Sequence, residues 1–330
     1  MVQVVGASDM KLLMRNIWAV VLWIGLAAVA YAQSYPDTAG ISTIRLWPGI
    51  APGSENAPQQ ENYFLYDKQT YRAFWHISVP TLTAFYAAKF NGTSVLILPA
   101  GAYRAVYFDN PPVTAARWLN TLGVDAYVLK YRLPDEGHAQ GYNVPLEDAQ
   151  RALRLIRSGI LSAHAGHTVD ASRIGVMGFS AGGHLGVVLA IYHDTKVYDP
   201  IDDADALSAR PDFMILGYPA LEMPPAKMEG GPEAQKYKMY QRYYTDDRID
   251  ASMPPAFIMH GDADDEVPYT VSTRLADSLK DAGVPAELHI FHGAGHGFGL
   301  HDPGEAGTWT DLCAAWLRGR GLLSVPATPQ

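Results

Sequence analysis

Ile174-Gly175-Val176-Met177-Gly178-Phe179-Ser180-Ala181-Gly182 joins a strand-like run, Arg173–Gly178, to a helix expected over Ala181–Tyr192. A G-x-S-x-G motif lies at the junction. A turn from strand to helix this tight leaves no room for side chains at positions 178 and 182. It holds the serine in a strained conformation with its hydroxyl exposed at the carboxyl edge of a sheet. The helix that follows aims its N-terminus at the same place, which favours developing negative charge. A bare G-x-S-x-G recurs by chance. Its setting between strand and helix favours Ser180 as a nucleophile over Ser180 as a helix N-cap.

Outward from this junction the chain alternates. Strands are expected at Ile41–Leu46, Leu82–Tyr86, Ser94–Leu98, Ala126–Lys130, Phe213–Gly217, Ala256–His260 and Ala286–Phe291. Helices are expected at Ala115–Leu122, Leu146–Arg157, Thr270–Ala282 and Glu305–Arg318, the second with Leu146, Ala149, Leu153 and Ile156 at helical spacing. Asn91-Gly92, between the strands at 82–86 and 94–98, is a hairpin turn signal. Strands alternating with helices imply an α/β fold with a mostly parallel central sheet covered by helices on both faces. With no repeat or long linker, residues 33–330 read as one domain. Two stretches break the rhythm. His193–Pro211 is acid-rich and reads as a solvated surface loop. Leu221–Pro254 carries Tyr237, Tyr240, Tyr243 and Tyr244, and is a candidate lid.

A serine hydroxyl needs a base to activate it, and the base needs an orienting acid. Two loops that follow expected strands can supply them on the same sheet edge as Ser180. Gly261–Pro268 offers Asp262, Asp264, Asp265 and Glu266; His292–Phe298 offers His292 and His296. His296, flanked by Gly295 and Gly297, is the better base. His184, one turn after Ser180, reads as a packing histidine beneath the site, and His260 as a strand-end residue that satisfies backbone groups. The four acids stay in competition on spacing alone. Their D-x-D-x-E alternation lacks the glycine and the distal glutamate of a calcium loop. The loop Pro99-Ala100-Gly101-Ala102-Tyr103 should form an oxyanion hole through Gly101 and Ala102, with the Ala181 N–H as a second donor.

The chain has 330 residues, of which 48% are hydrophobic and 18% charged, so intrinsic disorder and coiled-coil architectures are excluded. A formal charge of −9 argues against a nucleic-acid partner. The single cysteine, Cys313, permits neither an intramolecular disulfide nor a zinc–thiolate site. Lys11 and Arg15 precede an apolar run from Ile17 to Ala30 that closes as Ala30-Tyr31-Ala32. That is the pattern of a secretory signal peptide spanning residues 1–32, too short for the roughly 20 apolar residues of a stable membrane span. An exported, disulfide-free protein fits the periplasm or the medium.

Several motifs extend the pattern: Leu46-Trp47-Pro48-Gly49, Ala51-Pro52-Gly53, and Lys130-Tyr131-Arg132-Leu133-Pro134. Gly178–His184, His260-Gly261-x-x-Asp264-x-x-Val267-Pro268 and Gly295-His296-Gly297-Phe298 complete the set. In these the chain resembles the α/β-hydrolase superfamily. It is similar in particular to bacterial exported esterases related to acetylxylan esterases and feruloyl-esterase-like hydrolases. The resemblance implies an α/β-hydrolase fold, a serine esterase without metal or cofactor, and a triad of Ser180, Asp264 and His296, and so selects Asp264 among the acids. It implies a small ester or acetylated polysaccharide such as xylan as substrate, with Tyr103 or Tyr107 stacking on a sugar ring. Relatives usually carry three glycines where this chain has Ala100-Gly101-Ala102, which points to a small acyl group, acetyl first. A prolyl-oligopeptidase-like peptidase and a non-catalytic hydrolase-fold binding protein are the alternatives.

Overall fold

Buried strands with apolar side chains on both faces form the centre of the molecule. In Ser94–Leu98 (β5), Leu96 and Leu98 enter the core on one side of the sheet while Val95 and Ile97 enter the core on the other. That is the two-residue period of a strand covered on both faces. The structure, a computed structural model, describes residues 41–323 apart from 59, 69, 223–239, 241–245 and 301. The expected signal segment therefore lies outside the described residues. So does most of the candidate lid, including Tyr237, Tyr243 and Tyr244.

The strands in chain order are β1 (Ile41–Arg45), β2 (Asn62–Tyr66), β3 (Tyr71–Trp75), β4 (Thr81–Phe85), β5, β6 (Val106–Tyr107), β7 (Asp125–Lys130), β8 (Ile174–Phe179), β9 (Phe213–Gly217), β10 (Ala256–Gly261) and β11 (Ala286–Phe291). Eight of them form one sheet in the order β1-β4-β7-β5-β8-β9-β10-β11. From β7 to β11 every pairing is parallel, while β4 runs antiparallel to both β7 and β1. Helices α1 (Thr114–Thr121) and α5 (Trp309–Gly319) pack on one face through Ala115, Leu119, Trp309 and Leu317. Helices α2 (Val144–Arg157), α3 (Ala181–Ile191) and α4 (Thr270–Asp281) cover the other. Helix α3 is buried from Ala181 to Ala190, which explains why its sequence is apolar and small-residue-rich all round.

Three expectations fail. β4 and β5 do not form a hairpin, because β7 lies between them and pairs with each. The turn signal is real, since Gly92 has φ of 92°, but burial of apolar strands on both faces decides the pairing. β2, β3 and β6 form a second, three-stranded antiparallel sheet, whose first two strands fall in the stretch around 62–75 where no strand was expected. The acid-rich segment 193–211 is not simply solvated. Asp202 accepts two hydrogen bonds from the buried Arg151, at 2.7 and 2.6 Å, and Asp205 pairs with Arg151 at 3.0 Å and with the Tyr198 hydroxyl at 2.6 Å. Its acids fasten it to α2.

Candidate active site

Ser180 sits between β8 and α3 with φ of 53° and ψ of −117°, a conformation that L-residues rarely adopt. The two motif glycines permit it. A Cβ at Gly178 would stand 2.2 Å from the Gly182 carbonyl oxygen, and one at Gly182 would stand 1.9 Å from that of Leu98. The Ser180 backbone is fixed from both sides, its N–H donating to Gly217 O at 2.9 Å and its carbonyl accepting from Ala220 N–H at 3.0 Å.

His296 Nε2 lies 2.9 Å from Ser180 Oγ, and His296 Nδ1 lies 2.7 Å from Asp264 Oδ2. A carboxylate can only accept, so Nδ1 carries the proton and Nε2 is left to accept from the serine hydroxyl. The Asp264 side chain is fully buried and takes further hydrogen bonds from the N–H groups of Glu266 (2.9 Å) and Val267 (2.8 Å) and from His260 Nε2 (3.1 Å). Burial pushes its pKa up, but the hydrogen bonds from His260, His296 and Val267 outweigh burial and hold it well below the usual carboxylate range.

His260 Nε2 also lies 3.1 Å from Val267 O, so both its neighbours are acceptors and Nε2 must donate. Its Nδ1 then accepts from Ser272 Oγ at 2.8 Å. The sequence reading anticipated the backbone contact and missed the one to Asp264. The four-residue spacing inside His260-Gly261-x-x-Asp264 was the available signal. Asp262 is occupied elsewhere, with His292 Nδ1 at 2.9 Å and Gly293 N–H at 2.6 Å, which separates it from the Ser180 chain of hydrogen bonds. Tyr218, at the carboxyl end of β9, was also missed. Its buried ring packs edge-on against His296 and Phe298, with centroids 4.9 Å from each.

Gly101, with φ of 134°, begins the loop opposite the serine. A Cβ there would meet the Ala105 carbonyl oxygen at 1.9 Å, and that segment folds back through N–H groups of Arg104 and Ala105 that donate to Gly101 O. Ala102 and Tyr103 follow in the left-handed region, with φ of 53° and 56°. Ala181 is the first residue of α3, where a helix N–H has no intrahelical acceptor. A cleft of about 640 Å³ contains Ser180, His296, Gly101 and Ala102 in its lining, together with Phe64, Trp75 and Tyr107. Tyr103 does not line it. It is 5% exposed, and its hydroxyl is 2.8 Å from Nδ1 of the buried His184, whose pKa burial lowers to about 3. The expected sugar-stacking role of Tyr103 is therefore corrected: its ring is packed against Tyr131 and Tyr240 below the site.

The fold and this constellation are those of an α/β-hydrolase, with a strand–serine–helix elbow and its partners on the carboxyl edge of a mostly parallel sheet. Residues 158–320 match the model of the prolyl oligopeptidase family. The solved acetyl ester-xyloside bifunctional hydrolase from Caldicellulosiruptor lactoaceticus is 29% identical, with a TM-score of 0.63 over 86% of this chain and 97% of that one. The acetylxylan esterase of Xylanibacter ruminicola is 28% identical over 249 residues, and the endo-1,4-beta-xylanase B of Butyrivibrio fibrisolvens is 26% identical over 247. Each match takes in 72% of this chain but only 46% and 37% of those proteins, so the chain spans less than half the length of either.

Proposed function

We propose that the chain is a serine carboxylic-ester hydrolase that removes acetyl groups from a plant cell-wall polysaccharide such as xylan. The observation that carries this reading is the unbroken hydrogen-bond chain Ser180–His296–Asp264, opening into a cleft beside the Gly101–Ala102 loop. Ser180 Oγ attacks the ester carbonyl as His296 Nε2 takes its proton. Asp264 holds the imidazole in the required tautomer and stabilises the imidazolium. The backbone N–H groups of Ala181 and the Gly101–Ala102 loop stabilise the oxyanion. His296 then protonates the departing sugar hydroxyl, and the same base activates water to release acetate and restore the serine.

The methyl groups of Ala100 and Ala102 in the cleft lining support a short acyl group. Similarity to proteins named for acetylxylan and xyloside chemistry supports the polysaccharide. The pattern of Lys11, Arg15, the apolar run Ile17–Ala30 and its Ala30-Tyr31-Ala32 ending supports export, to be tested by sequencing the N-terminus of the mature protein. Acetate release from acetylated xylan, lost in Ser180→Ala, is the expected result. Turnover of a chromogenic acetate ester alone would remove the polysaccharide from the reading and leave the esterase. The prolyl oligopeptidase family match supports a peptidase as a second reading, which predicts cleavage of prolyl-peptide amides instead.

A further inference from the structure

The small three-stranded sheet carries five aromatic side chains on one face. Residues opposite one another in an antiparallel pair share a face, and the pairs Asn62–Trp75, Phe64–Ala73, Tyr66–Tyr71 and Ala73–Tyr107 place Trp75, Phe64, Tyr107, Tyr66 and Tyr71 together. Phe64, Trp75 and Tyr107 line the cleft over Ser180. Tyr71 lines a second cleft of about 440 Å³, which also holds Asn110, Thr114 and Asp302. His296 belongs to both clefts. The aromatic row is thus continuous from one cleft to the other past the catalytic histidine, through ring contacts Phe64–Tyr107 (6.0 Å), Tyr66–Tyr107 (4.7 Å) and Tyr66–Tyr71 (5.7 Å).

We infer that this row is a binding track for several sugar rings of one polysaccharide chain. The inference rests on the esterase reading above and deepens it. A pyranose ring presents flat C–H faces and an equatorial belt of hydroxyls, so it stacks on single aromatic faces with polar groups at their edges. The rings of this row stand at 86°, 67° and 46° to their neighbours and so offer separate stacking faces. Trp75 and Phe64 are 41% and 44% exposed at the cleft, so their ring faces are accessible to a ligand. Arg104 and Glu266 in the first cleft, and Asn110 and Asp302 in the second, supply the polar edge. A long acyl chain calls instead for an enclosed aliphatic channel, whereas the first cleft mixes small aliphatic residues with aromatic and charged ones and the second is mostly polar.

The wall is also held rigid. Arg72 makes a two-pronged ion pair with Asp109 (2.9 and 2.7 Å), Lys130 bonds Glu61 at 2.7 Å, and the Glu136 carboxylate accepts from the N–H groups of His76 and Ile77. A wall fixed before binding costs little ordering when the sugar arrives.

The test compares acetylated xylo-oligosaccharides of increasing length with ethyl acetate, which has no ring to stack. Trp75→Ala and Phe64→Ala should each raise KM for the oligosaccharides about tenfold, several-fold more than they raise KM for ethyl acetate. Trp75→Tyr should restore most of the affinity, and Tyr71→Ala should weaken only the longer oligosaccharides. Equal losses on both substrates would mean a structural role, and no loss on either would leave the sheet without a ligand; both overturn the track. Selective loss on long-chain acyl esters would assign the wall to the acyl group and overturn it as well. If the wild type cleaves ethyl acetate but no acetylated oligosaccharide, the polysaccharide reading itself falls and takes the track with it.

Discussion

Asp264 and Asp148 are both buried carboxylates held by several donors, yet one is linked through a histidine to a cleft and the other is not. Asp264 is bonded by His260, His296 and two backbone N–H groups, and through His296 it reaches a serine at the wall of a cleft. Asp148 is bonded by Trp47 Nε1 (2.8 Å), by Arg132 N–H (2.9 Å) and by the Arg132 guanidinium (2.8 Å), with Glu147 beside it, and all these side chains are sealed from solvent. The second cluster ties the segment around Trp47–Ser54 to the end of β7 and to α2, since Arg132 also donates to Pro52 O at 2.6 Å. Burial and hydrogen bonding are alike in both. What separates them is a cleft on one side and a histidine that can move a proton.

The comparison breaks most sharply under substitution of each aspartate. Asp264→Asn should lower kcat by about 10⁴-fold while leaving the protein folded, because the imidazole loses its required tautomer. Ser180→Ala should cost at least as much. Asp148→Asn should leave the activity per folded molecule intact and lower unfolding stability by about 3 kcal/mol, because Arg132 keeps its charge in a sealed site with one partner weakened. Activity assays paired with urea denaturation check both. A stability loss without an activity loss at Asp264 would reverse the assignment.

A second contrast concerns backbone rather than charge. Gly182→Ala should prevent the elbow from closing and yield little soluble protein, since its Cβ would stand 1.9 Å from Leu98 O. Gly295→Ala, in the His296 loop, meets nothing within 4 Å and should express and melt like the wild type. Soluble yield and thermal melting compare the two.

The smallest effects separate the clusters by pH. The Asp264 carboxyl is lowered in the folded state, so its contribution to stability is present above the ordinary aspartate value of 3.8 and is lost as pH falls through its lowered value. Burial raises Glu147 to about 7, more than the neighbouring Arg132 offsets. Its contribution is therefore complete below 4.5 and is lost as pH rises to about 7. Urea midpoints measured from pH 3 to pH 8 should show Glu147→Gln flattening the curve only in that upper window and Asp264→Asn only at its acid end. A change of slope outside its own window in either variant would contradict the separation, whereas a constant offset would not.

The same contrast explains what could be read from the amino-acid sequence. Ser94–Leu98, Phe213–Gly217 and Ala286–Phe291 were legible to the residue because buried or half-buried parallel strands are short apolar runs between clear breaks. The elbow was legible because a tight strand–serine–helix turn demands glycine at both of its flanks, against Gly182 O on one side and Leu98 O on the other. The motifs Trp47-Pro48-Gly49 and Tyr131-Arg132-Leu133 were visible, but nothing local says that Asp148 joins them across 101 and 16 residues. The Asn91-Gly92 turn misled because a local signal cannot say which strand will fill the slot beside β5. The three-stranded sheet stayed hidden because Phe64, Tyr71 and Trp75 on one of its faces line clefts rather than a core, so Asn62–Trp75 lacks the apolar alternation of a covered strand.

Acid quenching of the protein during turnover of a chromogenic acetate ester, followed by mass spectrometry of its peptides, tests the proposed mechanism most directly. One acetyl group on the peptide that carries Ser180, absent in Ser180→Ala and longer-lived in Asp264→Asn, is the predicted result. Full turnover with no acetylated peptide under any quench, or with the acetyl group on another residue, would contradict it.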